Sequence, residues 1–151
     1  MCSKIIALLV TLGLIITSCI PIKDCGNNLD CFKDLAKTCS KVRMNQIQDG
    51  NNIRITLRGF EGDYCVVSFK IEGISKDIMD KYPFESKVAL DKTLNCHIDK
   101  KYQDPTKLDY LEEISKISEN INDSCSGPIK DFMKGPGKDV LSEQLNIIIT
   151  T

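Results

Sequence analysis

Six cysteines spread over residues 25–125 constrain this chain more than any other feature of its sequence. The chain has 151 residues and eight cysteines, of which six form an even set: Cys25, Cys31, Cys39, Cys65, Cys96 and Cys125. In a short exported chain such a set predicts three disulfides and leaves their pairing open. No two of the six have the close spacing that is typical of zinc sites and of thioredoxin-like redox sites. The sequence therefore predicts a disulfide framework, without a metal site or a catalytic cysteine pair.

The first eighteen residues have the layout of a secretory signal. Lys4 precedes residues 5–17, which carry no charge, and small polar residues follow. As a helix this uncharged stretch spans roughly 20 Å, which is short of the roughly 30 Å that a stable membrane span requires. We therefore expect an export signal in residues 1–18 rather than a permanent transmembrane anchor.

The end of this segment, Ile16, Thr17, Ser18 and Cys19, resembles the lipobox of prokaryotic lipoproteins. The resemblance implies that the Cys19 thiol is alkylated by a diacylglycerol and that the chain is cut just before it. Two acyl chains hold a protein at a bilayer, where one chain gives only marginal binding. The alternatives are an ordinary signal cut near Cys19 and an uncut anchor. We expect a lipid-anchored protein at the extracytoplasmic face of the cell membrane, with membrane lipid as the partner of Cys19.

The remaining chain divides into a tether, a domain and an extension. Residues 19–24 are the expected tether, residues 25–134 a disulfide-rich domain, and residues 135–151 a C-terminal extension that begins near two glycine-proline breaks. The length suits one domain with one hydrophobic core.

The domain begins with a helix signal. Asn28 is suited to the N-cap, and Phe32, Leu35, Ala36 and Cys39 recur at the spacing of one helical face. Residues 42–48 are a weak strand candidate, followed by an Asp-Gly turn signal. Residues 74–83 fit a short helix or a loop. A second amphipathic helix is predicted after Pro105, with Cys125 just beyond its end.

The clearest element is a β-hairpin around a glycine-rich turn. Alternating apolar residues flank the turn on both arms, namely Ile53, Ile55, Leu57, Cys65, Val67, Phe69 and Ile71. A further strand places Leu94, Cys96 and Ile98 on one face. The order of helix, three or four antiparallel strands and helix predicts an α+β fold, a two-layer sandwich on an antiparallel meander stapled by disulfides.

The predicted faces restrict the disulfide pairing. Cys39 on the helix is expected to meet Cys65 or Cys96 on the sheet, and the sequence does not decide between them. Cys125 is predicted to tie the C-terminal helix back to the N-terminal segment. The spacing and neighbours of these cysteines, such as Cys25-Gly26 and Cys125-Ser126-Gly127-Pro128, also resemble those of uncharacterised exported proteins of archaea and bacteria. This second resemblance supports the framework and implies no chemistry.

Composition and charge argue against several functions. The chain has 17 lysines and three arginines, and without the signal it carries 19 basic and 21 acidic side chains, so we expect no nucleic-acid partner. His97 is the only histidine available as a catalytic base, and Glu112 and Glu113 diverge on a helix. We predict no catalytic residues and no cofactor.

Three functions of different classes stay open. The first is a lipid-tethered binding or structural module for a protein or small-molecule ligand. The second is an inhibitor resembling cystatin-like proteins, which would insert the hairpin loop at residues 59–63 into a target. The third, favoured least, is a small exported enzyme that uses His97 and scattered acidic residues.

Overall fold

The computed structural model describes residues 21–99, 114, 117, 121–135, 137 and 138. Its elements in chain order are β1 (Lys23–Asp24), α1 (Leu29–Ala36), β2 (Val42–Gln48), β3 (Asn51–Glu61), β4 (Tyr64–Gly73), α2 (Lys76–Lys81), α3 (Pro83–Ala89), β5 (Thr93–Asp99), α4 (Ile121–Ser124), β6 (Cys125–Ser126) and α5 (Lys130–Lys134). Lys23 and Asp24, which the sequence assigned to the tether, are thus part of the sheet.

The strands form one mixed sheet in the order β1-β2-β3-β4-β5-β6. The central strands β2 to β5 are an antiparallel meander, as the sequence predicted. Two edge strands of two residues each extend it, and β1 runs parallel to β2, so the sheet is mixed rather than purely antiparallel. The prediction of an α+β fold stapled by disulfides is confirmed.

The β3–β4 hairpin has the local geometry that its sequence predicted. Glu61 pairs with Tyr64 across a two-residue turn, in which Gly62 has a φ of +62° that glycine adopts without steric cost. The register shifts between Leu57 and Gly59, which places a β-bulge at Arg58, and Gly59 has a φ of +85°.

One face of the sheet carries the hydrophobic core. The apolar residues of the hairpin and of β5 that were predicted to point inward are all buried, and Phe32 and Ala36 of α1 are fully buried among them. Most of the predicted second amphipathic helix lies outside the described residues. Of its apolar stripe, Ile114, Ile117 and Ile121 are described, and all three are buried in the same core.

Three disulfides join the six domain cysteines. Cys25 bonds Cys31, Cys39 bonds Cys65, and Cys96 bonds Cys125. Of the two partners left open for Cys39, the structure selects Cys65, which connects the chain after α1 to β4. The prediction that Cys125 ties back to the N-terminal segment is wrong, because Cys125 lies in β6 directly opposite Cys96 of β5.

Candidate functional site

The strand register places different chain segments at the two ends of the sheet. Lys23 of β1 pairs with Val42 at the start of β2, and Val42 pairs with Leu57 of β3. The chain therefore enters β1 at the same end of the sheet as the β3–β4 turn. We call this the hairpin end and define it by Ile22, Phe60 and Tyr64.

The opposite end of the sheet carries the β2–β3 turn and two short helices. Helices α2 and α3 connect the end of β4 to the start of β5 there. The Ser75 amide donates a hydrogen bond to the side chain of Asn51 at the start of β3. We call this the helix end. It is defined by four exposed side chains: Met79 of α2, Phe84 and Val88 of α3, and Leu90, the residue that follows α3.

The hairpin end exposes three large apolar or aromatic side chains. Ile22 is 44% exposed, Phe60 39% and Tyr64 45%. Phe60 and Tyr64 flank the turn, and the Tyr64 ring meets the His97 ring edge-on, with centroids 5.8 Å apart. His97, the histidine considered as a catalytic base, thus lies exposed on β5 against an aromatic ring.

Two ion pairs lie at the hairpin end and limit its net charge. An Arg58 guanidinium nitrogen lies 2.7 Å from a Glu61 carboxylate oxygen, and Arg43 is equally close to Asp24. The Asp24 carboxylate accepts a hydrogen bond from the Gly26 amide, and this bond is the main cause that holds the pKa of Asp24 below its ordinary value, with Arg43 second. Asp24 is therefore ionised at neutral pH, which keeps the Arg43 pair formed.

The sheet face opposite the core is mostly polar and internally paired. Arg54 donates to the Asn45 side chain and lies 3.0 Å from Glu72, while Ser68 donates to Asn95. The chain has three arginines, Arg43, Arg54 and Arg58, and each of them is paired with a carboxylate. This face resembles a solvated surface held by cross-strand pairs rather than an anion-binding site.

The helix end exposes a second apolar cluster. Phe84 is 75% exposed, and Val88, one helical turn later on α3, is 47% exposed. Met79 is 44% exposed and Leu90 is 40% exposed. Lysines and acidic residues alternate around these side chains, so the cluster carries no strong charge of either sign.

A shallow depression lies between the sheet and α5. Its cavity volume is only about 10 Å³, room for a single water molecule at most, and it is lined by Ile53, Ile71, Ile74, Phe132 and Met133 together with Asn51 and Gly73. This volume lies below the range of ordinary ligand pockets, and its lining offers little polar surface to orient a ligand. The depression is a packing gap rather than a small-molecule site.

Several predicted positions lie outside the described residues, namely the lipobox, Cys19, Glu112 and Glu113. Within the described part of the chain, no group of three histidine, cysteine, aspartate or glutamate side chains could hold a metal ion. No helix among the described residues is long and apolar enough to cross a bilayer.

Sequence reasoning offered the hairpin loop at residues 59–63 as a contact of an inhibitor, but it did not identify Ile22 and Tyr64 beside that loop, and it missed the exposed residues of the helix end. The aromatics that flank the turn in the stretch FEGDY were the available signal for the hairpin end, because aromatic side chains beside a tight turn have little core to enter. The chain was compared with protein-family models, curated proteins and solved structures, and none of them matches it.

Proposed function

We propose that this protein is a lipoprotein anchored through Cys19 at the extracytoplasmic face of a membrane, where it presents a small disulfide-stabilised binding or structural module. The observation that carries the proposal is the complete internal pairing of the other six mature cysteines. Because the framework needs no seventh thiol, Cys19 is available for lipid, and it closes the lipobox-like sequence.

The disulfides support the exported location. Three bonds in a small domain persist in an oxidising compartment and are rare where thiols are kept reduced. Cys65 and Cys96 are fully buried, so their bonds are part of the core rather than exposed redox groups.

The geometry supports a short linker between the lipid and the domain, residues 19–22, which we call the leash. Lys23 is the first residue of β1, so only residues 19–22 separate the sheet from the membrane. Four residue steps from Cys19 to Lys23 span at most about 14 Å when fully extended. An anchored domain would therefore sit against the membrane surface.

The surface, rather than an enclosed pocket, offers the chemistry for binding. The depression beside α5 is too small and too apolar for specific recognition, whereas exposed apolar side chains gather at both ends of the sheet. We therefore favour a module that acts through its surfaces over a small exported enzyme.

The Cys19→Ser variant tests the anchor. In the bacterial or archaeal host, the wild-type protein should incorporate labelled lipid precursor and show the mass of a lipidated chain that begins at residue 19. The variant should lose the label and either keep its signal uncut or leave the membrane, because serine has no thiol to alkylate.

The Cys2→Ser variant is the matched control, since it removes a cysteine that lies before the expected cleavage site. It should be labelled like the wild type. Unchanged lipid mass and membrane retention in Cys19→Ser would contradict the proposed anchor.

A further inference from the structure

We propose that the hairpin end lies in the headgroup region of the bilayer, with Phe60, Tyr64 and Ile22 in contact with lipid. The inference rests on the proposed anchor and adds a second, non-covalent membrane contact to it. Three positions in different segments of the chain carry it, because the strand register brings them to one end of the sheet.

The β3–β4 hairpin projects past the point where the chain enters the sheet. Lys23, Val42 and Leu57 lie at one level across the sheet, and β3 continues beyond that level as far as Glu61. At about 3.3 Å per residue, with one residue taken up by the bulge, the hairpin turn projects about 10 Å past Lys23 toward the side from which the chain enters.

The projection of the hairpin takes up most of the length of the leash. A leash of at most about 14 Å between Cys19 and Lys23 leaves little room beyond the projecting hairpin, and the side chains of Phe60 and Tyr64 extend further still. The headgroup region on each side of the hydrocarbon core is about 5 to 8 Å deep. With the strands along the bilayer normal, even a fully extended leash brings the hairpin turn to the headgroup region.

The exposed side chains of the hairpin end suit a membrane interface. Tyrosine and other aromatic side chains are enriched at membrane interfaces, because the ring is apolar and the hydroxyl can stay hydrated. Phe60 and Tyr64 are each more than a third exposed on the protein, and Ile22 precedes β1 on the leash itself. These side chains are the apolar groups that an interface accommodates.

The charged side chains of the hairpin end balance one another. Arg58 is paired with Glu61 and Arg43 with Asp24, so two of the acidic groups near the turn are neutralised. Lys41 packs beside Gly59, and Lys23 lies at the entry to β1; these two lysines offset Asp63 in the turn and Asp99, which lies opposite Tyr64 on β5. The hairpin end therefore presents no excess of negative charge to a bilayer.

The helix end provides the internal comparison. With one residue taken up by the bulge, β3 spans about 30 Å from Asn51 to Glu61, so the start of β3 and the helices beside it face away from the anchor. Phe84 is more exposed than Phe60, yet its place in the fold keeps it from the membrane to which Cys19 would be attached.

The test uses the absence of tryptophan from this sequence. In Phe60→Trp the indole is the single tryptophan of the chain, and Phe84→Trp is the matched control at the helix end. The mature, lipidated full chain is placed in phosphatidylcholine vesicles whose acyl chains carry bromine, which quenches tryptophan on contact. Lipid mass is measured first in each variant.

We expect the fluorescence of Phe60→Trp to fall about two-fold or more in brominated vesicles relative to unbrominated ones, since an interfacial side chain reaches the boundary between headgroups and acyl chains. The fluorescence of Phe84→Trp should be the same in both. Tyr64→Trp should behave like Phe60→Trp and replaces it if that variant does not fold.

Equal fluorescence of the Phe60→Trp and Tyr64→Trp variants in both vesicles, with the lipid still on Cys19, would overturn the membrane contact while leaving the anchor intact. Absence of lipid from Cys19 would overturn both proposals together. Emission from the hairpin variants that responds to an added protease and not to brominated lipid would also overturn the contact, in favour of the inhibitor.

Discussion

Helix α1 and the helix pair α2–α3 pack on the same domain, but they are held in different ways. The Asn28 side chain accepts a hydrogen bond from the Cys31 amide at 2.9 Å and caps α1, and disulfides join the chain on both sides of this helix. Neither α2 nor α3 has a side-chain cap, α2 buries no residue, and no described disulfide includes them.

The difference indicates that stability is unevenly distributed along the sheet. Among the described residues, the Ser86 hydroxyl of α3 is buried without a hydrogen-bond partner, which adds to the cost of folding there. Segments with few buried apolar contacts open more readily than capped and cross-linked ones. We therefore expect α2 and α3 to open before α1 and the β3–β4 hairpin.

The largest test of this contrast compares two phenylalanines. Phe32 of α1 is fully buried, and Phe32→Ala should lower the free energy of unfolding by about 4 kcal/mol, because it removes a core ring and leaves a cavity. Phe84 of α3 is 75% exposed, and Phe84→Ala should change the free energy of unfolding by about 0.5 kcal/mol or less. Urea denaturation measures both values.

A large loss in Phe84→Ala would break the comparison. It would show that the Phe84 ring is covered in solution by a segment outside the described residues or by a second chain, and a measurement at several protein concentrations separates these two cases.

The next test removes one disulfide at a time by replacing both cysteines with alanine. The Cys39–Cys65 bond joins residues separated by 26 positions, and its loss should cost about 3.5 kcal/mol in the chain-entropy model. The Cys25–Cys31 bond spans a separation of 6, and its loss should cost about 2 kcal/mol. The reverse order would show that the reduced, unfolded chain keeps structure between Cys39 and Cys65, which would lower the cost of losing that bond.

The smallest test concerns the helix caps. Asn28→Ala should lower the free energy of unfolding by about 1 kcal/mol, because the Cys31 amide loses its acceptor. Ser75 precedes α2 but makes no side-chain capping bond, so Ser75→Ala should cost only about a few tenths of a kcal/mol. Equal losses would mean that Ser75 caps α2 in solution, and the proposed contrast between the helices would be reduced.

Local signals in the sequence were sufficient for much of the fold. The alternation from Ile53 to Ile71 predicted the hairpin, and Asn28 predicted the start of α1, since each depends on residues close in sequence. The same reasoning left the partner of Cys39 open, because Cys65 and Cys96 both point into the core and only strand order distinguishes them.

Other features depend on long-range pairing that no local signal records. The two-residue strand β6 places Cys125 opposite Cys96, whereas the sequence suggested only that Cys125 follows a helix. Pro83, the last residue of the stretch 74–83 that fitted a short helix or a loop, instead begins α3, where its missing amide is not needed. The two exposed clusters of the candidate site are likewise defined by register and strand order, which bring Ile22 to the same end of the sheet as Phe60.

The Cys39–Cys65 bond has a mechanical consequence. Tension applied at residue 19 would enter the domain through β1 and pass along the covalent path from Cys25 to Cys31, through α1, and across from Cys39 to Cys65. Strands β2 and β3 lie inside the loop that this last bond closes, so the load bypasses them. Pulling on the N-terminus could detach β1 and stretch α1, but it could not extend β2 and β3 unless the Cys39–Cys65 disulfide were first reduced.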